Sequence, residues 1–417
     1  MITTFYPPFS FGGDGVFVHQ LSNELAKRGH CVDVIHCIDA YRLLARGEHE
    51  NTYNNHPNVT MHGLKSRFGF LSPIATQQTG YPFFKSTQVR QILEKGFDVI
   101  HYHNISLVGG PKILEYGQGI KLYTMHEYWL ICPTHVLYRF KRTACTKRNC
   151  FFCTLMHKRP PQLWRYTRLL EAASKNVDVF IALSHFLKDK YYEMGFNFPI
   201  VHLPPFVSAQ EATPRTYGHS IGELPGKPYF LFVGRLEKIK GVHTLIPVFQ
   251  QYDKARLLIA GTGSYEPRLR ELAGRDANIE FLGHQSERQL QSLYHNAVAL
   301  IHPSLCFEVF GLVNLEAFRE RTPVIMRNMG GMPELVEESG GGLVYTSDGD
   351  LIAAMDHLMT SPSLCQELGT RGYDAYTRNW TAETHIQRYL ALVHDVASSK
   401  GKGSPGRRLL SPEAAIF

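Results

Sequence analysis

Two carboxylates stand eight positions apart in the stretch FEVFGLVNLEAF, where Glu308 precedes Gly311 and Glu316 follows it. The glycine indicates a turn into a helix, so the first acid belongs to a loop and the second lies about five residues into that helix. Acids in this arrangement can accept hydrogen bonds from two sets of hydroxyl groups, one on a sugar ring and one on a ribose. The alternative is an ordinary helix acid, but Leu315 and Phe318 indicate a buried helix, where an unpaired carboxylate is costly.

Two cations follow another candidate strand, which lies earlier in the chain. In VGRLEKIKGVHTLI, Arg235 lies just past the strand and Lys240 precedes a helix that begins near Gly241. A guanidinium and an ammonium fixed at the carboxyl end of a strand can neutralise a diphosphate, for which Arg offers a planar fork and Lys a point charge. Solvated surface cations are the alternative reading of this stretch taken alone.

Backbone N–H groups at two helix starts could bind phosphate. GGDGVFVHQLSNELAKRGH turns from Gly12 and Gly13 into a helical pattern, and Phe310, Gly311 and Leu312 precede the helix that carries Glu316. A helix N-terminus combines unpaired N–H groups with the positive end of the helix dipole, which together attract an oxyanion. For the first of these turns, a tight turn with no ligand is an equally good explanation.

Glycines also follow strands in VGRLEKIKG and IAGTGSYEPRL, and we assign Gly234 and Gly263 to the same phosphate-binding site. The second stretch resembles the start of a dinucleotide fingerprint, in which a third small residue is needed for close packing of helix on strand. Glu266 stands at that place. A nicotinamide cofactor is therefore disfavoured.

The elements that must position these residues form two similar series. Short apolar runs such as FDVIHYH, IKLYTMH, YFLFVGR and ARLLIAG alternate with helical patterns, which predicts buried parallel strands in repeated βα units. We predict an α/β protein with two Rossmann-like, doubly wound parallel sheets that face one another across a cleft, where ligands bind beyond the carboxyl ends of the strands. The predicted divisions are a first domain (1–205), a Pro- and Gly-rich linker (206–226), a nucleotide-binding domain (227–375), a helix that returns to the first domain (376–396) and a disordered tail (397–417).

Four cysteines lie close together in an insertion at about residues 130–160 of the first domain. Cys132, Cys145, Cys150 and Cys153 end in a C-x2-C pair, and four thiolates of this kind can hold a structural zinc ion in a tetrahedron. An iron–sulfur cluster and four unligated thiols are the alternatives.

The same insertion is basic and aromatic. Nine Lys or Arg and no Asp or Glu lie between Tyr128 and Leu170, with Phe151, Phe152 and Trp164 among them. This composition predicts contact with an anionic membrane, to which each cation near the surface contributes about 1 kcal/mol. A solvated basic face is the alternative.

Composition limits the protein class. The chain has 417 residues, a net charge of +7 and no apolar run long enough for a membrane helix, so we expect a protein of two domains that does not span a bilayer. The start of the chain lacks the features of a secretory signal, so we expect a cytoplasmic protein that could act at the inner face of the membrane. We expect no nucleic-acid partner, because such modules usually carry more positive charge.

Taken together, VGRLEKIKG, IAGTGSYEPRL, HPSLCFEVFGLVNLEAF and RTPVIMRNMGGMPELV resemble glycosyltransferase family 4, whose members are retaining enzymes with the GT-B fold. The resemblance covers about residues 1–396 and is strongest in the second half. It implies transfer of a sugar from a nucleotide-diphosphate donor to a glycan or lipid-linked acceptor, in the synthesis of cell-surface polysaccharide or glycolipid. No cofactor is implied for catalysis.

The resemblance also implies roles for individual residues. Arg235 and Lys240 match the pair that holds the donor diphosphate, Glu308 matches the acid that faces the donor sugar, and Glu316 matches the acid that binds the ribose. His126, in YTMHEYW, matches a histidine beside the transferred sugar. The other readings are a binding module without turnover and a different GT-B-like enzyme, such as an epimerase or a phosphorylase.

Overall fold

The computed structural model describes residues 1–45, 53–146, 149–208 and 227–401. Most of the predicted linker, at 209–226, and the end of the predicted tail, at 402–417, lie outside the described residues. The prediction of a disordered tail from residue 397 was wrong for its first part, because the last helix continues to Gly401.

The first lobe combines helices with parallel strands in alternation, and it has one short antiparallel hairpin, formed by its fifth and sixth strands. Its strands are β1 (Val32–Cys37), β2 (Val59–Leu64), β3 (Val99–Tyr102), β4 (Ile120–Met125), β5 (Tyr138–Arg139), β6 (Thr143–Ala144), β7 (Val179–Ala182) and β8 (Ile200–His202). Its helices are α1 (Gly13–Lys27), α2 (Ile38–Leu44), α3 (Leu71–Thr79), α4 (Ser86–Leu93), α5 (Cys150–Met156), α6 (Leu169–Ser174) and α7 (His185–Glu193), with 3-10 turns at Pro111–Glu115 and Leu163–Tyr166.

The second lobe repeats the same alternation. Its strands are β9 (Tyr229–Val233), β10 (Arg256–Ala260), β11 (Ile279–Gly283), β12 (Leu300–His302), β13 (Val324–Arg327) and β14 (Gly342–Tyr345). Its helices are α8 (Val242–Phe249), α9 (Glu266–Ala273), α10 (Glu287–Asn296), α11 (Leu312–Arg319), α12 (Met332–Ser339), α13 (Asp348–Thr360) and α14 (Pro362–Asn379), with a 3-10 turn at Lys238–Lys240. A final helix, α15 (Ala382–Gly401), follows.

Each lobe is built on one parallel sheet. The second sheet has the strand order β11-β10-β9-β12-β13-β14, and the first has β3-β4-β7-β8 beside the pair β1-β2. Ile2 joins these two parts, because it bridges to Ile35 on one side and to Tyr102 on the other. These sheets confirm the predicted α/β architecture with two Rossmann-like domains.

The second sheet is buried on both faces, which explains its near-continuous apolar strands. In β10, Leu257 and Ile259 belong to the core on one face, whereas Leu258 and Ala260 belong to the core on the other. Successive side chains of a strand point to opposite faces, so an all-apolar strand requires helices on both sides. Each Leu or Ile side chain contributes about 1.5–3 kcal/mol when it is fully buried.

Helix α15 is last in the chain but packs on the first lobe. Its buried residues Ile386, Tyr389 and Leu392 share a core with Phe17 and Leu21 of α1. The helix also contacts β4, so the described chain ends on the lobe in which it began. Among the described residues, no helix is long and apolar enough to cross a membrane.

Candidate functional site

The carboxyl ends of the strands in the two lobes face one another. The Ser184 hydroxyl, at the end of β7, donates a 2.6 Å hydrogen bond to the Val309 carbonyl in the loop that follows β12. Phe307 and Val309 of the second lobe pack against the core of the first lobe. The loop that carries Glu308 therefore lies between the lobes.

Lys240 and Glu308 meet in this region. Lys240 Nζ donates to Glu308 Oε1 at 2.7 Å, and the Ser304 hydroxyl donates to the same oxygen at 2.6 Å. His302 Nε2 lies 3.7 Å from this oxygen. Three groups thus surround one carboxylate oxygen and hold it in place.

The pKa values of the pair indicate that both groups are charged. Burial opposes the ionisation of Glu308, but Lys240 and His302 overcome this effect and hold its pKa well below the usual range. Burial likewise favours neutral Lys240, but the Glu308 carboxylate raises the Lys240 pKa. Because Glu308 stays a carboxylate at neutral pH, it can accept hydrogen bonds but does not supply a proton.

Arg235 lies near this pair and is more exposed. It precedes Lys240 by five residues, and its positive charge acts to lower the Lys240 pKa, an effect that Glu308 outweighs. Arg235 Nη1 bonds to Glu237 Oε1 at 2.9 Å, and 55% of the Arg235 side chain is exposed. An exposed ion pair of this kind contributes little to the stability of the fold. A diphosphate could therefore take the place of Glu237 beside Arg235 at a low cost in free energy.

Glycines allow the loops of the second lobe to approach one another. A Cβ on Gly241 would lie 1.9 Å from the Pro303 carbonyl oxygen, and one on Gly330 would lie 2.7 Å from the Glu308 nitrogen. Both glycines also have positive φ angles, of 77° and 67°. No other residue type fits these positions without moving the backbone that supports Lys240 or Glu308.

The predicted glycines Gly234 and Gly263 lie on adjoining loops after β9 and β10. A Cβ on Gly263 would meet the Leu236 carbonyl at 2.4 Å, and the Gly234 carbonyl would meet a Cβ on Gly261 at 2.0 Å. These glycines therefore bring one loop close to the next. Their contact with a donor remains a prediction.

Glu316 is held by a different partner. It is the fifth residue of α11, and its Oε2 accepts a 2.7 Å hydrogen bond from the Tyr294 hydroxyl on α10. Burial raises the pKa of Glu316 despite this bond and the nearby charge of Arg319. The hydroxyl partner explains how a carboxylate is tolerated on this largely buried helix.

The start of α11 is also fixed by polar contacts. Asn314 on α11 bonds to His302 Nδ1 at 3.1 Å, and a Cβ on Gly311 would meet Asn314 Nδ2 at 2.6 Å. Phe310 is buried, and Leu312 is partly exposed as the first helical residue. These contacts fix the N-terminus of α11, so its first backbone N–H groups have a fixed position and orientation.

The glycine turn of the first lobe faces this helix start. Gly12 is the N-cap of α1, and a Cβ on Gly13 would lie 3.3 Å from Leu312 Cδ1. Asp14, in the first turn of α1, accepts a 3.2 Å bond from Asn104 after β3. Two helix N-termini, one from each lobe, thus approach the same space, a favourable setting for an anion.

His126 follows β4, is partly buried, and lies against two buried histidines, His101 and His103, that the sequence analysis did not predict. His126 Nε2 lies 2.9 Å from His103 Nδ1, and the ring of His103 is 4.1 Å from that of His101. Burial lowers the pKa of His126 to about 4, although Asp14 and Glu127 oppose this shift. His126 is therefore neutral at neutral pH and can exchange hydrogen bonds without carrying charge.

A second contact between the lobes involves a carboxylate at a helix start. Glu334 of α12 accepts hydrogen bonds from the backbone N–H groups of His185 and Phe186, at 2.7 and 2.8 Å. Glu334, His185 and His202 form the one set of three His, Cys, Asp or Glu side chains in the described residues whose ligand atoms all lie within 4.8 Å. Because both Glu334 oxygens cap α7, the group serves as a clasp between the lobes.

The four clustered cysteines lie in the first lobe. Cys132, Cys145, Cys150 and Cys153 line a single small cavity beside the β5-β6 hairpin. The structure thus brings together residues that are up to 21 positions apart in the sequence.

Several elements of the first lobe carry exposed apolar side chains, which we name together the aromatic patch. α3 packs against the 3-10 turn at residues 163–166, and the Trp164 indole donates to the Gln77 carbonyl at 2.8 Å. The patch comprises Phe68, Phe70, Leu71, Phe83, Phe151, Phe152, Leu155, Leu163 and Tyr166, all of which are exposed. Sequence reading found only the part after residue 150, although residues 65–93 carry the same signal of aromatics without Asp or Glu.

Comparisons with known proteins agree with this architecture. The family model described as Glycosyltransferase Family 4 matches residues 11–211, and the one described as Glycosyl transferases group 1 matches residues 218–375. A glycogen synthase from Mycobacterium tuberculosis is 25% identical to the chain over 456 aligned positions, which cover all of this chain and 98% of the relative.

Two solved structures share the fold. Sucrose-phosphate synthase from Thermosynechococcus elongatus has a TM-score of 0.72 at 18% identity, over 95% of this chain and 98% of that one. Anabaena Alr3699/HepE in complex with UDP and glucose has a TM-score of 0.65 at 16% identity, over 94% of this chain and 99% of the other. With two family models over most of its length and a GT-B fold, the chain belongs to the family 4 type of glycosyltransferases and is an enzyme that uses a nucleotide-sugar donor.

Proposed function

We propose that this enzyme transfers the sugar with retention of anomeric configuration, to a glycan or lipid-linked acceptor presented at an anionic membrane, in the synthesis of cell-surface polysaccharide or glycolipid. The observation that supports donor binding at this site is the ion pair of Lys240 and Glu308, with Arg235 as a second cation on the same loop as Lys240. These groups suit a leaving diphosphate, whose charge rises as the bond to the sugar breaks.

Lys240 and Arg235 stabilise that diphosphate in the proposed mechanism, and the N-termini of α1 and α11 supply N–H groups to its oxygens. Glu308 accepts hydrogen bonds from hydroxyl groups of the donor sugar, and Glu316 accepts them from the ribose. His126, which is neutral, bonds to the transferred sugar. The main contributions of the protein are then orientation of the reactants and stabilisation of developing charge.

Retention in this proposal needs no covalent intermediate on the protein. The acceptor hydroxyl attacks the anomeric carbon from the face that the diphosphate leaves, and its proton passes to a departing phosphate oxygen. The low pKa of Glu308 supports this route, because a carboxylate held ionised by Lys240 is a poor proton donor. The bond between the anomeric carbon and the diphosphate breaks, and the bond between the same carbon and the acceptor oxygen forms. The nucleoside diphosphate leaves with the proton.

The aromatic patch supports a membrane as the place where the acceptor is met. Side chains such as Phe152, Leu163 and Tyr166 are 62, 66 and 62% exposed, on a surface whose sequence has no acids between Tyr128 and Leu170. Apolar side chains can enter the interface while nearby Lys and Arg attract anionic headgroups. A solvated basic face would gain nothing from exposing so many large apolar groups.

Two measurements test the proposal. Nucleoside diphosphate release from a panel of nucleotide sugars should depend on addition of a lipid extract or glycan acceptor, and the product should keep the configuration of the donor. An inverted product, or release that is independent of any acceptor, would contradict it.

The membrane part is tested by sedimentation with vesicles of an anionic lipid at low salt. We expect the wild-type protein to sediment, and the double variant Phe152→Ser/Leu163→Ser to remain in solution. Ile352→Ser, which changes an exposed residue of the second lobe, is the matched control and should sediment as the wild type does. Wild-type protein that stays in solution would leave a solvated basic face as the correct interpretation.

A further inference from the structure

The cysteine-lined cavity has the size and lining of a metal site. Its volume is about 20 Å³, room for roughly one water-sized group, and all four clustered cysteines are among its lining residues. Cys132 and Cys153 are buried, and Cys145 and Cys150 are half-buried. We propose that Cys132, Cys145, Cys150 and Cys153 bind one structural Zn²⁺ ion, which fixes the insertion to the first lobe.

The packing of α5 supports this proposal. The buried residues of this helix are Cys153 and Thr154, whereas Phe151, Phe152 and Leu155 are exposed. A short helix normally holds its place by burying an apolar stripe, and α5 turns most of its apolar side chains outward. A metal bound through Cys150 and Cys153 would replace that missing contact.

Backbone strain is concentrated in the same segment. Six non-glycine residues of the described chain have positive φ angles, and five of them lie between residues 135 and 158. Phe140 and Lys141, at the tip of the β5-β6 hairpin, are consecutive residues of this kind, with φ angles of 52° and 57°. Such conformations cost about 1–3 kcal/mol each and persist only where the surroundings enforce them. A tetrahedral ion that ties the hairpin to its neighbours is a sufficient constraint.

The electrostatic surroundings suit bound thiolates. Four thiolates around Zn²⁺ leave a net negative charge, and Arg139 lines the cavity. Arg165 is partly buried, and its positive charge acts on Cys132 and Cys150. Guanidinium atoms Arg139 Nε and Arg165 Nη2 are buried without a hydrogen-bond partner. An anionic zinc–thiolate centre would compensate both cations.

Hydrogen bonds to sulfur are already present. The Phe140 backbone N–H donates to Cys153 Sγ at 3.4 Å, and Cys132 Sγ lies 3.2 Å from Thr134 Oγ1. Donors of this kind stabilise the sulfur ligands of a metal. In the described residues no three of these sulfur atoms lie within 4.8 Å of one another, so binding would require rotation of cysteine side chains toward the cavity.

Metal analysis of the untagged full-length protein tests the assignment, and its result does not depend on the proposed transferase activity. We expect about one zinc per chain in the wild type and in Cys31→Ser, an exposed cysteine outside the cluster, and none in Cys153→Ser. Wild-type protein without zinc, or equal zinc in Cys153→Ser, would overturn the proposal. Iron with inorganic sulfide would replace it by an iron–sulfur site.

Two measurements on the wild type keep the test valid if Cys153→Ser fails to fold. X-ray absorption at the zinc edge should show sulfur neighbours alone, at about 2.3 Å. Titration of thiols with a mercurial reagent should release the zinc, detected with a chromogenic chelator, as the cluster is modified. A nitrogen or oxygen shell, or zinc that stays bound after complete thiol modification, would rule out a four-cysteine site.

Discussion

Lys240 Nζ lies 2.7 Å from Glu308 Oε1, although the two residues are 68 positions apart in the chain. The ion pair joins the turn after β9 to the loop after β12, and these strands are neighbours in the sheet. In the proposed mechanism a leaving diphosphate shares Lys240 with Glu308, so the acid would set the position of the cation as well as face the sugar.

Replacement of either cation should impair transfer strongly. Lys240→Ala and Arg235→Ala should each lower kcat/KM by at least about 100-fold, as does removal of a single donor to a developing oxyanion. Acceptor-dependent release of nucleoside diphosphate measures this loss. Glu237→Gln is the matched control and should stay within about 3-fold of wild type, because an exposed pair contributes little. Near-normal turnover by either alanine variant would refute the assignment of the diphosphate site.

Glu316 should govern nucleotide affinity. Glu316→Ala removes the proposed acceptor for the ribose hydroxyls, and we expect nucleoside diphosphate to bind about 10-fold more weakly by calorimetry, the effect of one hydrogen bond to a charged group. Tyr294→Phe keeps the carboxylate and removes its hydroxyl partner, so its effect should be about 3-fold or less. Equal affinity of Glu316→Ala and wild type would show that the acid is structural only.

The buried histidines should make the protein sensitive to acid. Burial lowers the pKa of His385 to about 4 from an unfolded value of about 6.5. Between these values the unfolded chain binds a proton that the native state does not, so stability present above pH 6.5 is lost as the pH falls toward 4. His385 alone should account for a loss of about 3 kcal/mol in the free energy of unfolding.

His385→Gln should therefore show a flatter dependence of unfolding free energy on pH in this window than wild type. Denaturant unfolding at several pH values measures it. The exposed His394→Gln on the same helix is the control, with the wild-type slope expected. An unchanged slope in His385→Gln would mean that this residue does not contribute to the acid loss.

The clasp between the lobes should affect how readily they close. Glu334→Ala removes both acceptors from the start of α7, which we expect to cost about 1–2 kcal/mol and to lower kcat/KM about 10-fold. Small-angle scattering should show a larger radius of gyration for this variant. Glu337→Ala, an exposed acid on the same helix, should match wild type in both measurements. A compact, fully active Glu334→Ala would show that the clasp does not hold the lobes together.

The apolar runs of the sequence were sufficient to predict most strands, because strands buried on both faces leave a pattern that local reading detects. Strand β2, VTMHGL, was missed, since it pairs on one side only and three of its six residues are exposed. The partners of the candidate site residues could not be predicted either. Tyr294 is 22 positions from Glu316, and only tertiary packing brings them together.

Part of the histidine group could have been predicted from the sequence. His101 lies in β3 and His103 is the first residue after it, and side chains two positions apart share one face of an extended chain. The sequence therefore indicated that the two rings are neighbours. It gave no indication that Tyr389, 288 positions from His101, would bond to it at 3.2 Å.

The return of α15 to the first lobe has a consequence for biosynthesis. Phe17 and Leu21 lack part of their apolar surroundings until Ile386 and Tyr389 have been translated and have left the ribosome. Until then the nascent first lobe would expose an apolar surface to solvent. Such a surface favours binding by chaperones and association with other chains. A stop codon shortly after Trp380 would therefore damage the half of the enzyme that was synthesised first.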